Sequence, residues 1–147
     1  MKNIYLLALG ALLLISGCSS KPPIKAYSGP ILPVSKIAKL VIDYKNVWLE
    51  SIDGKDWKFS REFHLIPGKH SVIAAARVYM FWSKGHLKAQ RPSRIKFIAK
   101  AGHTYELSAD VTNVDHVSGK QYKAKFHYWI TDKETGEVVG GRKPDVQ

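Results

Sequence analysis

Short runs of β-branched and aromatic residues recur along the chain from residue 37 onward, separated by turn residues. No segment keeps a helical period, and no repeat of fixed length is found. This pattern predicts β-strands joined by short turns. The predicted strands are Ile37 to Tyr44, Val47 to Ile52, Trp57 to Ile66, His70 to Trp82, Arg94 to Lys100, Thr104 to Val111, Tyr122 to Thr131 and Glu137 to Val139, with turns at Asp53-Gly54, Pro67-Gly68, Ala101-Gly102 and Asp132 to Gly136.

The close spacing of these strands favours antiparallel pairing. One amphipathic sheet cannot cover its own apolar side, so a second sheet has to pack against the first. The sequence therefore predicts an all-β fold, an antiparallel two-sheet β-sandwich of about seven or eight strands in residues 36–147. Trp48 and Trp129 are predicted to lie in its core.

The alternation on either side of Gly102 predicts a hairpin in which the apolar sides of both strands reach the core. Ala99 then lies opposite Tyr105, and Phe97 lies opposite Leu107. The outward side carries a cationic row that faces polar residues across the ladder, namely Arg94, Lys96 and Lys100 facing Asp110, Ser108 and Thr104. Part of the row would be neutralised in this register, which weakens the case for a ligand site there.

A second hairpin is predicted at Pro67-Gly68, with Leu65 opposite His70 and Phe63 opposite Val72. The core side of the long strand that follows then carries Ala74, Ala76, Val78 and Met80.

The other side of the same strand is also largely apolar, whereas a strand that faces water is ordinarily more polar. Its residues form the candidate interaction surface, which consists of Ile73, Ala75, Arg77, Tyr79, Phe81 and Trp82. Two interpretations remain open. Either the protein covers this side itself, through the segment before residue 36 or the loop from Ser83 to Pro92, or the side binds a partner or ligand.

The formal net charge of the 147-residue chain is +11, from 23 Lys and Arg against 12 Asp and Glu. Such an excess predicts attraction to anionic surfaces at low salt, although a solvated basic surface without a dedicated partner is an equal alternative. The anionic candidates in a cell envelope are peptidoglycan carboxylates, phospholipid headgroups, lipopolysaccharide phosphates and acidic protein patches. Nucleic acid is not an expected partner of an exported protein.

The amino-terminal segment indicates export. An apolar stretch from Ile4 to Ile15 follows Lys2 and is far shorter than the roughly 20 residues that a membrane-spanning helix needs. The stretch ends in Ile15-Ser16-Gly17-Cys18, which resembles the lipobox of bacterial lipoproteins. The resemblance implies that residues 1–17 are a removed signal peptide and that Cys18 carries lipid. An ordinary cleavable signal or a buried cysteine are the alternatives.

Residues 18–35 carry four prolines among Ser, Lys and Gly, which predicts an extended tether between the lipid and the domain. Ser19 follows the cysteine, and the absence of Asp at this position resembles the outer-membrane sorting pattern of enteric bacteria. We therefore expect a lipid-anchored protein of the outer membrane that faces the periplasm.

No pattern for catalysis is present. The sequence has no Gly-x-Ser-x-Gly elbow, and Cys18 is its only cysteine. Its six histidines form neither His-x-His nor His-Glu-x-x-His, so no metal site and no cofactor are predicted. His70 and His103 are expected to form hydrogen bonds near their turns, and Asp53 is expected to bind its own turn's backbone.

Several turn motifs resemble those of small proteobacterial lipoproteins with a PEGA-like or transthyretin-like β-sandwich, although the Pro-Glu-Gly-Ala signature is missing. The motifs are Tyr27-Ser28-Gly29-Pro30, Ile52-Asp53-Gly54, Leu65-Ile66-Pro67-Gly68-Lys69-His70, Ala101-Gly102-His103-Thr104-Tyr105 and Thr135-Gly136-Glu137-Val138-Val139. The resemblance implies a β-sandwich lipoprotein without enzymatic activity. The expected function is a membrane-tethered binding module for an envelope protein or glycan, and the alternative is a basic structural tether between the outer membrane and peptidoglycan.

Overall fold

The computed structural model describes residues 23–57, 59–80, 85–89, 91–117 and 121–145. They form an all-β sandwich of a six-stranded and a five-stranded sheet, so the predicted fold class is confirmed. The strands are β1 (Ile24–Lys25), β2 (Ala38–Ile42), β3 (Val47–Ile52), β4 (Lys55–Asp56), β5 (Glu62–Leu65), β6 (Gly68–Met80), β7 (Gly85–Lys88), β8 (Ser93–Ala99), β9 (Thr104–Val117), β10 (Gln121–Asp132) and β11 (Val138–Gly141), with one 3-10 turn at Val34–Lys36. Within these ranges no helix has the length and apolarity that crossing a membrane requires.

The six-stranded sheet has the order β1-β5-β2-β9-β10-β11. Two of its pairs are parallel, β1 with β5 and β2 with β9, and the others are antiparallel. The parallel pair β2–β9 joins Lys39 to Thr104 and Ile42 to Leu107 in the middle of the sheet. This sheet is therefore mixed, whereas the hairpin pattern predicted antiparallel pairing only.

The five-stranded sheet is organised around β6, the long strand of 13 residues. One edge of β6 pairs with β3, which in turn pairs with β4. The other edge pairs first with β8, over residues 68–74, and then with β7, over residues 77–80. β7 and β8 thus continue one another along the same edge of β6.

Inward side chains of both sheets fill one core. Strand alternation is strict in β2 and β8, where every second residue is buried. The most deeply buried large side chains are those of Tyr105, Phe63, Ile37, Leu40, Ile52, Leu65, Leu107 and Ile130. The rings of Phe97 and Tyr105, which belong to different sheets, have centroids 5.2 Å apart and join the two layers.

The two predicted hairpins are wrong in their pairing. β5 and β6 do not pair at Pro67-Gly68, because β5 pairs with β2 and β1 in one sheet while β6 lies in the other. Likewise β8 pairs with β6, and β9 pairs with β2 and β10. Each turn carries the chain from one sheet to the other. Most of the predicted inward residues still lie in the core, because a strand buries the same side from either sheet. Val78 is only half-buried, and the Met80 side chain lies outside the described part of the structure.

Three short strands were not predicted. β1 lies in the segment predicted as a tether, β4 follows the Asp53-Gly54 turn, and β7 lies in the segment predicted as the Ser83 to Pro92 loop. Asp53 and Gly54 both have positive φ angles, 52° and 78°, which identifies the predicted turn as the tight hairpin type with two left-handed residues. Trp48 and Trp129 are only half-buried, because their neighbours Val47, Leu49, Tyr128 and Ile130 occupy the core instead.

β11 is the edge strand of the six-stranded sheet, next to β10. A methyl group added at Gly140 would lie 2.7 Å from the carbonyl oxygen of Lys96 on β8, so the two sheets meet closely here. At Gly141, where φ is +73°, an added methyl group would lie 2.1 Å from the carbonyl oxygen of Tyr128. Only glycine fits this left-handed position and this close backbone approach.

Candidate functional site

The outward side of β6, β7 and β8 carries six exposed cationic side chains. They belong to Lys69, Arg77, Lys88, Arg94, Lys96 and Lys100, and we call this surface the cationic face. The register explains how they share one side of the sheet, since Ser71 pairs with Lys96, Ile73 pairs with Arg94, and Arg77 pairs with Lys88. The intervening residues of β6 and β8 are buried in the core.

The six cations have no ion-pair partner in the part of the chain that the structure describes. Their closest polar contact is weak: the Arg94 guanidinium donates to the Ser71 hydroxyl at 3.5 Å. The predicted neutralisation of Arg94, Lys96 and Lys100 by residues of β9 is wrong, because β9 lies in the other sheet. The face is therefore more positive than the sequence predicted.

Asp53 lies beside Ser71 at one end of the cationic face, and both of its carboxylate oxygens have hydrogen-bond partners. Oδ1 accepts the backbone N–H of Ser71 at 2.8 Å, and Oδ2 lies 2.7 Å from Nδ1 of His70. The expected bond within its own turn is thus replaced by bonds to β6. Asp53 contacts His70 and forms no ion pair with Lys69, Lys96 or Lys100.

His70 is buried, with 7% of its surface exposed, and both ring nitrogens face acceptors. Nε2 lies 2.7 Å from the carbonyl oxygen of Ile66, and Nδ1 faces the Asp53 carboxylate. A carbonyl oxygen can only accept, so Nε2 donates to Ile66. A His–Asp pair can support a nucleophile in catalysis, but that requires a free Nε2, and here Nε2 donates to a carbonyl. The pair connects the turn before β6 to the turn after β3.

An open groove of about 660 Å³ lies at the same end of the cationic face. Its lining includes three lysines, Lys69, Lys96 and Lys100, together with the exposed Ile98 and the buried His70. Ile98 lies opposite Lys69 in the register and is 59% exposed. Asp53 lines the groove as well, so three lysines, one carboxylate and an exposed apolar side chain meet there.

The described residues of the predicted interaction surface lie on the same side of β6 as the cations. Ala75 is buried, at 5% exposure, beside Trp48 of β3, while Ile73 is half-buried. Arg77 is exposed, and Tyr79 is 54% exposed. Phe81 and Trp82 lie outside the described residues, as does Cys18. β7 flanks β6 rather than covering it, and β1 belongs to the other sheet.

A second cluster joins two turns at the opposite sheet. Nδ1 of His103 lies 2.8 Å from Oδ2 of Asp132, and Oδ1 of Asp132 accepts the backbone N–H of Glu134 at 3.0 Å. Oε2 of Glu134 accepts the backbone N–H of Thr104. One ligand atom from each of the three side chains could approach a metal ion, since these atoms lie within 4.8 Å of one another. Each of them already has a hydrogen-bond partner, so the cluster is accounted for as a link between the β8–β9 and β10–β11 turns.

Asp132 is almost fully buried, with 1% exposure. Burial opposes its ionisation, but the hydrogen bonds with His103 and Glu134 outweigh burial and lower the pKa of Asp132 below its ordinary value. The predicted hydrogen bonding of His70 and His103 near their turns is confirmed.

The sequence prediction missed Lys69, Lys88 and Ile98 as members of a site. Period-two alternation marks Lys69 and Ile98 as outward and was the available signal for them, whereas the four residues of β7 show too little alternation to mark Lys88. Their assembly into one surface depends on the pairing of β6 with β7 and β8, which alternation does not determine. No protein-family model, curated protein or solved structure matches this chain.

Proposed function

We propose that this protein is a non-enzymatic lipoprotein of the bacterial envelope, anchored by lipid on Cys18 to the outer membrane, which acts as a binding module through its cationic face. The observation that carries the proposal is the concentration of six exposed cations on one sheet surface without a carboxylate partner among the described residues. Such a surface attracts anionic ligands over several ångströms and more strongly at low salt.

The arrangement has an energetic cost that a ligand would offset. Arg77 and Lys88 lie directly opposite one another on β6 and β7, and like charges in this position destabilise a sheet. An anionic ligand placed over the pair would turn repulsion into attraction. Ile73 and Tyr79, from the candidate interaction surface, add apolar area beside these charges.

The anchoring half of the proposal is tested by replacing the only cysteine. In Cys18→Ser the hydroxyl cannot form the thioether with the diacylglyceryl group, so we expect loss of palmitate labelling and retention of residues 1–17. Metabolic labelling followed by membrane fractionation and mass spectrometry of the amino terminus measures both. Equal labelling of wild type and variant would contradict the lipid anchor.

The binding half is tested by photo-crosslinking in cells with the full-length chain. A photoreactive amino acid at position 98 is expected to capture an envelope component, because Ile98 is exposed beside Lys69, Lys96 and Lys100 at one end of the cationic face. The double variant Lys96→Glu/Lys100→Glu should reduce capture at least about tenfold, since it reverses two charges beside the probe. The matched control is Lys125→Glu/Lys143→Glu, which makes the same charge change on exposed residues outside the face.

Capture that survives Lys96→Glu/Lys100→Glu, or that falls equally in the control, would contradict the use of this face. The chemistry of the captured component separates the binding module from the structural tether. Adducts that are released only by muramidase digestion would identify peptidoglycan and favour the tether between outer membrane and cell wall.

A further inference from the structure

We propose that the cationic face lies on an anionic phospholipid surface, the membrane to which the protein is tethered, with the Ile98 side chain inserted among the headgroups. The inference rests on the proposed function and names the ligand of the same face. Its support comes from the shape of the face, from the position of Ile98 and from the length of chain before β1.

The shape suits an extended surface rather than one small anion. Eight residue steps separate Lys69 from Arg77 on β6, which corresponds to about 26 Å along the strand. The other cations lie beside them on β7 and β8. Because the charges are spread over this length, a single phosphate could meet only those at one end. A plane of many phosphates could meet all six at once.

Ile98 distinguishes a lipid surface from other polyanions. Its side chain is 59% exposed on β8, between Lys96 and Lys100 and opposite Lys69. An apolar side chain ringed by lysines is the arrangement by which interfacial segments combine apolar burial with attraction to anionic lipids. A carboxylate-bearing glycan offers no apolar layer in which this side chain could be buried.

The chain before β1 has a length that allows this orientation. Lipid on Cys18 would leave six residue steps to Ile24, which reach at most about 20 Å. β1 belongs to the six-stranded sheet, and packed sheets lie about 10 Å apart. The anchor can therefore span the thickness of the sandwich when the cationic face lies on the membrane. It also holds the domain close to the headgroups.

The test uses the full-length protein with one cysteine introduced among the three lysines at one end of the face. Ile98→Cys is labelled with an environment-sensitive fluorophore, and the protein is incorporated into vesicles of phosphatidylcholine with or without phosphatidylglycerol. Val138→Cys, a 43% exposed position on β11, is the matched control site. The wild-type chain, treated in the same way, reports any labelling of Cys18.

We expect a blue shift and increased emission at position 98 only in vesicles that contain phosphatidylglycerol. The response should disappear at about 1 M salt, where the screening length falls to about 3 Å. Each lysine near an anionic surface contributes about fivefold to binding, so adding Lys96→Gln/Lys100→Gln should lower the ratio of docked to undocked protein about 30-fold. Lys125→Gln/Lys143→Gln should leave that ratio within about twofold.

Equal emission in the two vesicle types, or equal responses at positions 98 and 138, would overturn the inference. The experiments distinguish failure of the lipid ligand from failure of the binding function. If crosslinking at position 98 depends on Lys96 and Lys100 but the label never responds to phosphatidylglycerol, the binding function stands and the lipid ligand is wrong. If neither experiment depends on these lysines, the cationic face is not a binding surface.

Discussion

Phe63→Ala is expected to lower the free energy of unfolding by about 3 to 5 kcal/mol, as truncation of a buried aromatic typically does. Phe63 is 1% exposed on β5, and its ring meets the Trp57 ring edge-on with centroids 6.0 Å apart. Truncation leaves a cavity between the two sheets and removes this ring contact. Urea denaturation followed by tryptophan fluorescence measures the loss.

The matched control is Phe59→Ala. Phe59 is 75% exposed, and its ring lies 6.4 Å from that of Tyr44. Removal of an exposed ring should change stability by no more than about 0.5 kcal/mol. Similar losses in the two variants would contradict the position of β5 inside the sandwich.

Asp132→Ala is expected to cost about 3 kcal/mol at neutral pH. Asp132 is buried and accepts hydrogen bonds at both oxygens, so its removal leaves the His103 ring and the Glu134 N–H without this partner. The turns before β9 and before β11 would lose part of their connection, and the bond from the Thr104 N–H to Glu134 would remain. Asp145→Ala is the control, because the Asp145 side chain is 89% exposed and its contact with Arg142 is 3.7 Å long.

The difference between wild type and Asp132→Ala should also depend on pH. The pKa of Asp132 is lower in the folded protein than its ordinary value of about 3.9. The ionised carboxylate therefore contributes its full stability above about pH 4, and this contribution is lost as the pH falls through the folded-state pKa. Thermal unfolding from pH 7 down to pH 2 should show the two proteins converging. A constant difference over this range would contradict a lowered pKa.

Strand positions were largely predictable, because the alternation of apolar and polar residues is visible within each strand's own sequence. Val47–Ile52 was predicted with both of its ends, and the buried sides of β6, β8 and β9 were assigned to the core. These features depend only on residues close together in sequence. β1, β4 and β7 were missed because strands of two to four residues carry too little alternation to be distinguished from loops.

Strand partners were not predictable from alternation. Phe97 and Tyr105 point into the core whether β8 and β9 are neighbours in one sheet or face each other across the sandwich. The turn residues allow both arrangements. The distinction comes from the rest of the fold: β9 pairs with β2, whose partner residues lie far earlier in the chain.

The ambiguity in strand partners also made the predicted surroundings of the candidate site wrong. Lys96 and Lys100 were recognised as outward cations, but the predicted hairpin placed Ser108 and Thr104 across from them and Asp110 across from Arg94. In the structure the partners of β8 lie on β6, so Lys96 faces Ser71 and Lys69 joins the same surface. A wrong pairing thus concealed the cationic face.

The parallel pair β2–β9 has a consequence for the speed of folding. Lys39 and Thr104 pair at the centre of their sheet, yet every strand of the other sheet lies between them in the chain. The loop entropy of this long closure must be overcome before the pair contributes stability. Such non-local topologies fold in milliseconds to seconds rather than microseconds. The six-stranded sheet therefore forms late, because the segment between β2 and β9, which builds the five-stranded sheet, has to be in place first.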